Sequence, residues 1–189
     1  MATSPVHRPT RRAPSRITLA ARARHIALAI FDVDGVMTDG RIYLGESGEE
    51  MKAFNVLDGH GIKMLRESGI VVAIISGRRA RCVERRAAEL GIEHVIQGAG
   101  EKLPVFHKLL ATLRLQPGQA CYMGDDLVDL PVLQACGLAF TVPDAPAQVR
   151  RTAQYVTRRR GGEGAVRDAC EILMQLRGQK RPSPVRGEG

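Results

Sequence analysis

From residue 26 to residue 176 the chain alternates two kinds of hydrophobic pattern. Apolar runs at 26–31, 70–75, 120–123 and 138–142, the last broken by Thr141, carry no polar residues at helical spacing, as expected of strands buried on both faces of a parallel sheet. Shorter runs at 94–97 and 155–157 read as further strands. Between them, apolar residues recur every three or four positions. They predict helices over 58–68, stopped by Gly69, over 79–90, closed by Gly91, and over 101–115, with Pro104 tolerated in the first turn. Further helices are predicted over 127–136, around 147–153 and over 164–176. The runs 41–44 and 51–55, joined by Gly-Glu-Ser-Gly-Glu, predict a β-hairpin with a longer loop. Strands alternating with helices mean an α/β fold: a Rossmann-like parallel sheet with helices on both faces and a hairpin inserted after the first strand.

The first strand runs straight into Asp32 and Asp34, one residue apart, and then Gly35. In open α/β sheets ligands bind at the carboxyl ends of strands. Residues 32 and 34 point to one side if strand geometry persists, and Gly35 lets the chain turn and a ligand approach. Two carboxylates so close resist ionising together unless a cation intervenes, which makes Mg²⁺ the natural third party. One carboxylate is then placed to attack phosphorus and the other to move a proton. Other strand ends add Ser76-Gly77-Arg78 and Asp125-Asp126, and Lys102 opens a helix. A hydroxyl and backbone N–H groups beside a helix start suit a phosphate oxygen, a lysine balances phosphoryl charge, and Asp125 supplies a hard oxygen ligand. Taken singly, the Asp-x-Asp is equally a polar strand end, Lys102 a solvated lysine and Asp129 a surface carboxylate. Their order along the chain, each following a strand, favours a shared site.

Four segments, FDVDG at 31–35, IISGR at 74–78, EK at 101–102 and GDDLVD at 124–129, together resemble the motifs of the haloacid dehalogenase (HAD) superfamily of aspartate-nucleophile phosphotransferases. The resemblance implies Asp32 as nucleophile, Asp34 as general acid/base and a backbone-carbonyl metal ligand, and Ser76 and Lys102 as phosphate holders. It implies Asp32, Asp34 and Asp125 as the Mg²⁺ ligands, Asp126 orienting a water, and Asp129 as support behind them.

Only 43 residues separate Asp32 from Ser76, and 25 separate Ser76 from Lys102. That leaves no room for the cap domain many members insert there. An open site takes large substrates or is closed by another subunit, because phosphoryl transfer needs controlled water. A lone two-stranded hairpin is marginal in water, so it is expected to serve as lid or oligomer contact. The glycines of 161–164 suit either a reach into a neighbour's site or a flexible helix entry. AFNVLDGHGIK at 53–63, GDDLVDLPVL at 124–133 and YVTRRRGGEGAVRDAC at 155–170 resemble the capless subfamily that hydrolyses 3-deoxy-D-manno-octulosonate 8-phosphate, over about residues 25–177. That resemblance implies a homotetramer with each site completed by an adjacent subunit. It also implies a sugar acid phosphate substrate held by Asp34, Asn55, Val56, Leu57, Asp58, Gly59, Lys63, Arg78, Arg86 and Lys102. Leu57 stands where some members have arginine, which puts one contact in doubt. Arg79, Arg81 and Arg85 read as a solvated basic face. Alternatives are a phosphatase for another ulosonate phosphate, such as a nine-carbon sugar acid 9-phosphate, or a non-catalytic protein that uses basic tails.

The formal charge of +8 invites a nucleic-acid reading, but residues 1–24 hold +6 and residues 177–189 hold +3, leaving −1 for residues 25–176. Basicity therefore belongs to the tails. Aromatic residues make up 4% of the chain and tryptophan is absent, which argues against base-stacking platforms, and no apolar run approaches a membrane span. Neither specific nucleic-acid binding nor membrane insertion is expected. Cys82, Cys121, Cys136 and Cys170 form no CxxC pair and read as small buried thiols of a reducing cytoplasm. The five histidines share no ligand spacing. The Pro-punctuated tails at 1–24 and 178–189 are expected to lack fixed structure, flanking a single phosphatase domain at 25–177. The Arg-rich start has the composition of a transit peptide without its amphipathic stripe.

Overall fold

The computed structural model describes residues 16–48 and 50–178, so the expectations for residues 1–15 and 179–189 lie outside it. Six strands form one parallel sheet, in the order β5-β4-β1-β6-β7-β8. They are β1 (Leu28–Phe31), β4 (Val71–Ser76), β5 (His94–Gln97), β6 (Ala120–Met123), β7 (Leu138–Thr141) and β8 (Tyr155–Val156). β1 lies between β4 and β6, with Leu28 opposite Val71 and Ala120, and Phe31 opposite Ile74 and Met123. The chain leaves β1 toward β4 and β5, then crosses back to β6. The carboxyl ends of β1 and β6 therefore flank the point where strand order reverses, the usual ligand crevice of such sheets.

Helices α2 (Val56–Glu67), α3 (Arg81–Glu89), α4 (Lys102–Leu113), α5 (Leu130–Ala135), α6 (Ala147–Thr152) and α7 (Ala165–Leu176) connect and cover the strands. Right-handed crossovers put α2 and α3 on one face and α4, α5 and α6 on the other. α2 packs on α7, and α4 on α5. Asn55 starts α2: its side-chain oxygen accepts the Leu57 N–H, and such a cap contributes on the order of 1 kcal/mol. All four residues of β1, β6 and β7 are buried, Thr141 of β7 included. Tyr122, Phe106, Phe140 and Ile30 are among the largest side chains fully enclosed. Cys121, Cys136 and Cys170 are buried free thiols and Cys82 is half-buried.

Three boundaries differ from the sequence expectation. Arg16–Ala23, inside the stretch expected to be unstructured, is helix α1. Ala23 is buried and Leu19 packs on the core, so the ordered domain starts before residue 25. The hairpin is shorter than predicted, with β2 (Tyr43–Leu44) and β3 (Glu50–Met51) forming their own two-stranded sheet. The helix expected over 127–136 is split into a 3₁₀ turn, Leu127–Asp129, and α5, because the Asp126 side chain caps the turn and Pro131 starts the α-helix. No domain is inserted after β1 or β4. Among the described residues, no helix is long and apolar enough to cross a membrane.

Candidate active site

A cavity of about 250 Å³ opens at the crevice between β1 and β6, lined by Asp32, Asp34, Ser76, Arg78, Lys102 and Asp125, with Asp126 and Val128 at its rim. All four sequence segments converge there. Asp32 follows β1, Ser76 ends β4, Lys102 opens α4, and Asp125 follows β6.

At the floor lies a buried ion-pair chain. The Lys102 ammonium donates to Asp32 Oδ2 at 2.5 Å and to Asp129 Oδ1 at 2.7 Å, and all three side chains are less than a tenth exposed. The other oxygen of Asp32 accepts the Val33 N–H at 2.7 Å. Asp129 is saturated: Oδ1 also accepts from the Tyr122 hydroxyl at 2.6 Å, and Oδ2 from the backbone N–H groups of Asp125 and Asp126. A buried charge of this kind is costly unless its oxygens find partners, and each oxygen of Asp129 has two. Burial would lower the Lys102 pKa, but the charges of Asp32 and Asp129 reverse this and hold it above its ordinary value.

Oxygens of Asp32, Asp125 and Asp129 lie within 4.8 Å of one another. Asp129 has no lone pair facing outward, which leaves Asp32 and Asp125 as the pair able to grip an ion. Burial, and the repulsion of neighbouring carboxylates, push Asp125 up to about 7. Burial likewise pushes Asp32 up to about 7, against the pull of Lys102. Two hard oxygen donors that resist ionising side by side fit a small divalent cation. Gly35, at φ +77°, keeps the space beside Asp125 clear.

Asp34 is held from the hairpin. Lys52 donates to Asp34 Oδ1 at 2.5 Å and pairs with Glu50 Oε1 at 2.7 Å, while Arg78 donates to Glu50 Oε2 at 3.0 Å. The sequence reading missed Glu50, in the two-residue β3, and Lys52, just after it. It also missed Tyr122, which looks like one more apolar residue of β6. The signal was chemical: a buried tyrosine hydroxyl needs a partner. Asp126 is exposed, and its carboxylate accepts the Leu127 N–H.

The remaining residues expected to touch substrate are not gathered into this cavity. Val56 and Leu57 are exposed on the first turn of α2, and Asn55 donates from its side-chain amide to the Gly162 carbonyl. Asp58 is buried, 2% exposed, where it accepts the Arg167 N–H at the start of α7. Gly59 lies against the Arg86 guanidinium, which also reaches Glu89. Lys63 lines a separate depression of about 470 Å³ with Arg66, Glu67 and Glu89. Gly164 starts α7, as the helix-entry role expects, and two of its neighbours make further contacts within the chain. Gly161 packs so tightly on the loop after β1 that a Cβ there would stand 1.9 Å from the Gly35 carbonyl oxygen. The Gly162 N–H donates to the Val36 carbonyl. These residues back the loop carrying Asp34 within their own chain.

A family model described as a haloacid dehalogenase-like hydrolase matches residues 53–137. The chain is 55% identical over 153 residues to the 3-deoxy-D-manno-octulosonate 8-phosphate phosphatase of Yersinia pestis, covering 81% of this chain and 82% of that one. The solved structure of the Yersinia pestis phosphatase superposes with a TM-score of 0.83 at 52% identity, covering 86% of this chain and 88% of that one. The Moraxella catarrhalis phosphatase, solved with a magnesium ion, a phosphate ion and KDO, gives a TM-score of 0.83 at 42% identity, covering 85% and 92%. With the four segments meeting at one crevice and relatives this similar over most of their length, the chain belongs to the haloacid dehalogenase-like hydrolases and, among them, to the 3-deoxy-D-manno-octulosonate 8-phosphate phosphatase family.

Proposed function

We propose that this chain is a Mg²⁺-dependent phosphomonoesterase that hydrolyses 3-deoxy-D-manno-octulosonate 8-phosphate to the free sugar acid and phosphate, a step of lipopolysaccharide synthesis. The observation that carries this reading is the convergence of Asp32, Asp34, Ser76, Lys102 and Asp125 on one cavity. Asp32 attacks phosphorus in line, and its carboxylate is aimed by the Val33 N–H and the Lys102 ammonium. Lys102 and the Ser76 hydroxyl hold the phosphoryl oxygens and offset the charge that builds there. Asp34 gives its proton to the departing sugar oxygen, then takes one from the water that cleaves the aspartyl phosphate. Asp32, Asp125 and the Asp34 carbonyl are assigned to hold the Mg²⁺, which when bound supplies the positive charge that keeps the carboxylates ionised and neutralises the phosphoryl group. Arg78, half exposed at the rim, suits the substrate carboxylate, for which a guanidinium fork is the natural partner.

The cavity of one chain lacks Asn55–Gly59, Lys63 and Arg86. This supports a shared site, in which part of the sugar-binding surface belongs to an adjacent copy. The hairpin and the start of α2 expose Ile42, Tyr43, Leu44, Met51, Val56 and Leu57, a contiguous sequence region more apolar than a monomer's surface needs. We assign this surface to a homotetramer packed through its hairpins, working in the cytoplasm. The test is phosphate release from a panel of sugar phosphates, with and without Mg²⁺, alongside light scattering. The reading expects the highest kcat/KM for the eight-carbon sugar acid phosphate, loss of turnover with chelator, and a tetramer. A higher kcat/KM for a nine-carbon sugar acid 9-phosphate moves the substrate, and a fully active monomer removes the shared site.

A further inference from the structure

Asp34 does not stand alone at the cavity rim. Its Oδ1 accepts from Lys52 at 2.5 Å, Lys52 pairs with Glu50 at 2.7 Å, Glu50 accepts from Arg78 at 3.0 Å, and Arg78 Nε lies 4.0 Å from Asp34 Oδ2. The four side chains close a ring of alternating charge that joins the loop after β1, the hairpin and the end of β4. Within the ring Lys52 differs from Arg78. Its side chain is 1% exposed, while that of Arg78 is 48% exposed. Lys52 is therefore enclosed on its two carboxylates and is not among the residues that line the cavity. Burial would pull its pKa down, and its contacts with Asp34 and Glu50 outweigh burial and hold the ammonium charged.

Resting on the phosphatase reading above, we infer that Lys52 is a positioning residue for the proton-transfer group, fixing the Asp34 carboxyl at the place where the leaving oxygen is protonated, with Glu50 as the brace that holds Lys52. Without it Asp34 keeps, among the described residues, the more distant Arg78 as a cationic neighbour and turns freely at a site 24% exposed. Proton transfer then loses its geometry while the nucleophile, held by Lys102 and Val33 on the floor, keeps its own. The hairpin, expected from sequence to act only as lid or contact, thus delivers a part of the catalytic machinery in its own chain.

The two halves of the chemistry separate by leaving group. A sugar alkoxide needs a proton as it departs, and p-nitrophenolate departs without one. Positioned proton transfer is worth roughly 10²–10⁴-fold. Asp34 also serves the second step, which both substrates share, so the comparison is made on the first step alone, in single turnover with enzyme in excess: Lys52→Met is expected to slow release of the sugar acid from its phosphate by at least about 30-fold and release of p-nitrophenolate by less than about threefold. Lys52→Arg should recover much of the loss, since a guanidinium also reaches both carboxylates. Glu50→Gln should show the same substrate-dependent pattern more weakly, and it provides the measurement if Lys52→Met does not fold. Equal losses on both substrates in these variants, or no loss on either, overturn the inference. A wild type that hydrolyses neither substrate overturns the phosphatase reading, and this inference with it.

Discussion

Gly35 and Asp125 meet across the crevice so closely that a Cβ on Gly35 would stand 2.0 Å from Asp125 Oδ2. No side chain fits between the loop after β1 and the end of β6, and the φ of +77° at Gly35 disfavours one in any case. Gly35→Ala is expected to displace Asp125 and reduce kcat by two orders of magnitude or more, with far-UV circular dichroism unchanged. A variant within threefold of wild type would show that Asp125 can move without cost to the chemistry.

Asp125 itself provides a metal-removal test. Three carboxylates within 4.8 Å, with only Lys102 between them, repel one another in the protein without its ion. Asp125→Asn removes one of those charges. In chelator its thermal midpoint should match or exceed that of wild type. Mg²⁺ at about 100 times its Kd should add about 2.7 kcal/mol of stability to wild type. The variant should gain almost none. An equal Mg²⁺ shift in both proteins would move the ion away from Asp125.

Much of this site was legible in the sequence because it is local. Asp32, Ser76, Lys102 and Asp125 each follow or open an element whose apolar pattern is plain, and a parallel sheet brings strand ends to one edge. The order of the strands, and hence the neighbours of β1, depends on crossovers that no local pattern records. Lys52 was illegible for a related reason: two-residue strands give little periodicity, and the partner of Lys52 is 18 residues away. Asp58 has a structural role that its motif did not show. Its motif pointed to substrate, while the fold uses its carboxylate to cap α7 from a neighbouring helix, a contact 109 residues apart in sequence.

That burial of Asp58 has a pH consequence. Desolvation pushes its carboxyl up to about 6, against the hydrogen bond from the Arg167 N–H, and the charge of Asp168 adds to the rise. The folded protein thus holds this proton more tightly than the unfolded chain, whose aspartates titrate near about 4. The stabilising contribution is complete below that value and is lost as pH rises through about 6. Asp58→Asn still offers an oxygen to the Arg167 N–H and carries no charge. Between about pH 4 and pH 6.5 the wild-type midpoint should therefore fall relative to that of Asp58→Asn. Parallel curves across this window would mean that Asp58 is solvated as an ordinary surface carboxylate.

In the mechanism proposed above, the Asp32 carboxylate, aimed by Lys102 at 2.5 Å, takes the phosphoryl group. Phosphate release from 3-deoxy-D-manno-octulosonate 8-phosphate in saturating Mg²⁺, measured for wild type and for purified, folded Asp32→Asn, tests it most directly. Wild type is expected to turn over steadily and the variant to release no phosphate above background. A variant that retains a tenth of wild-type turnover would contradict that mechanism.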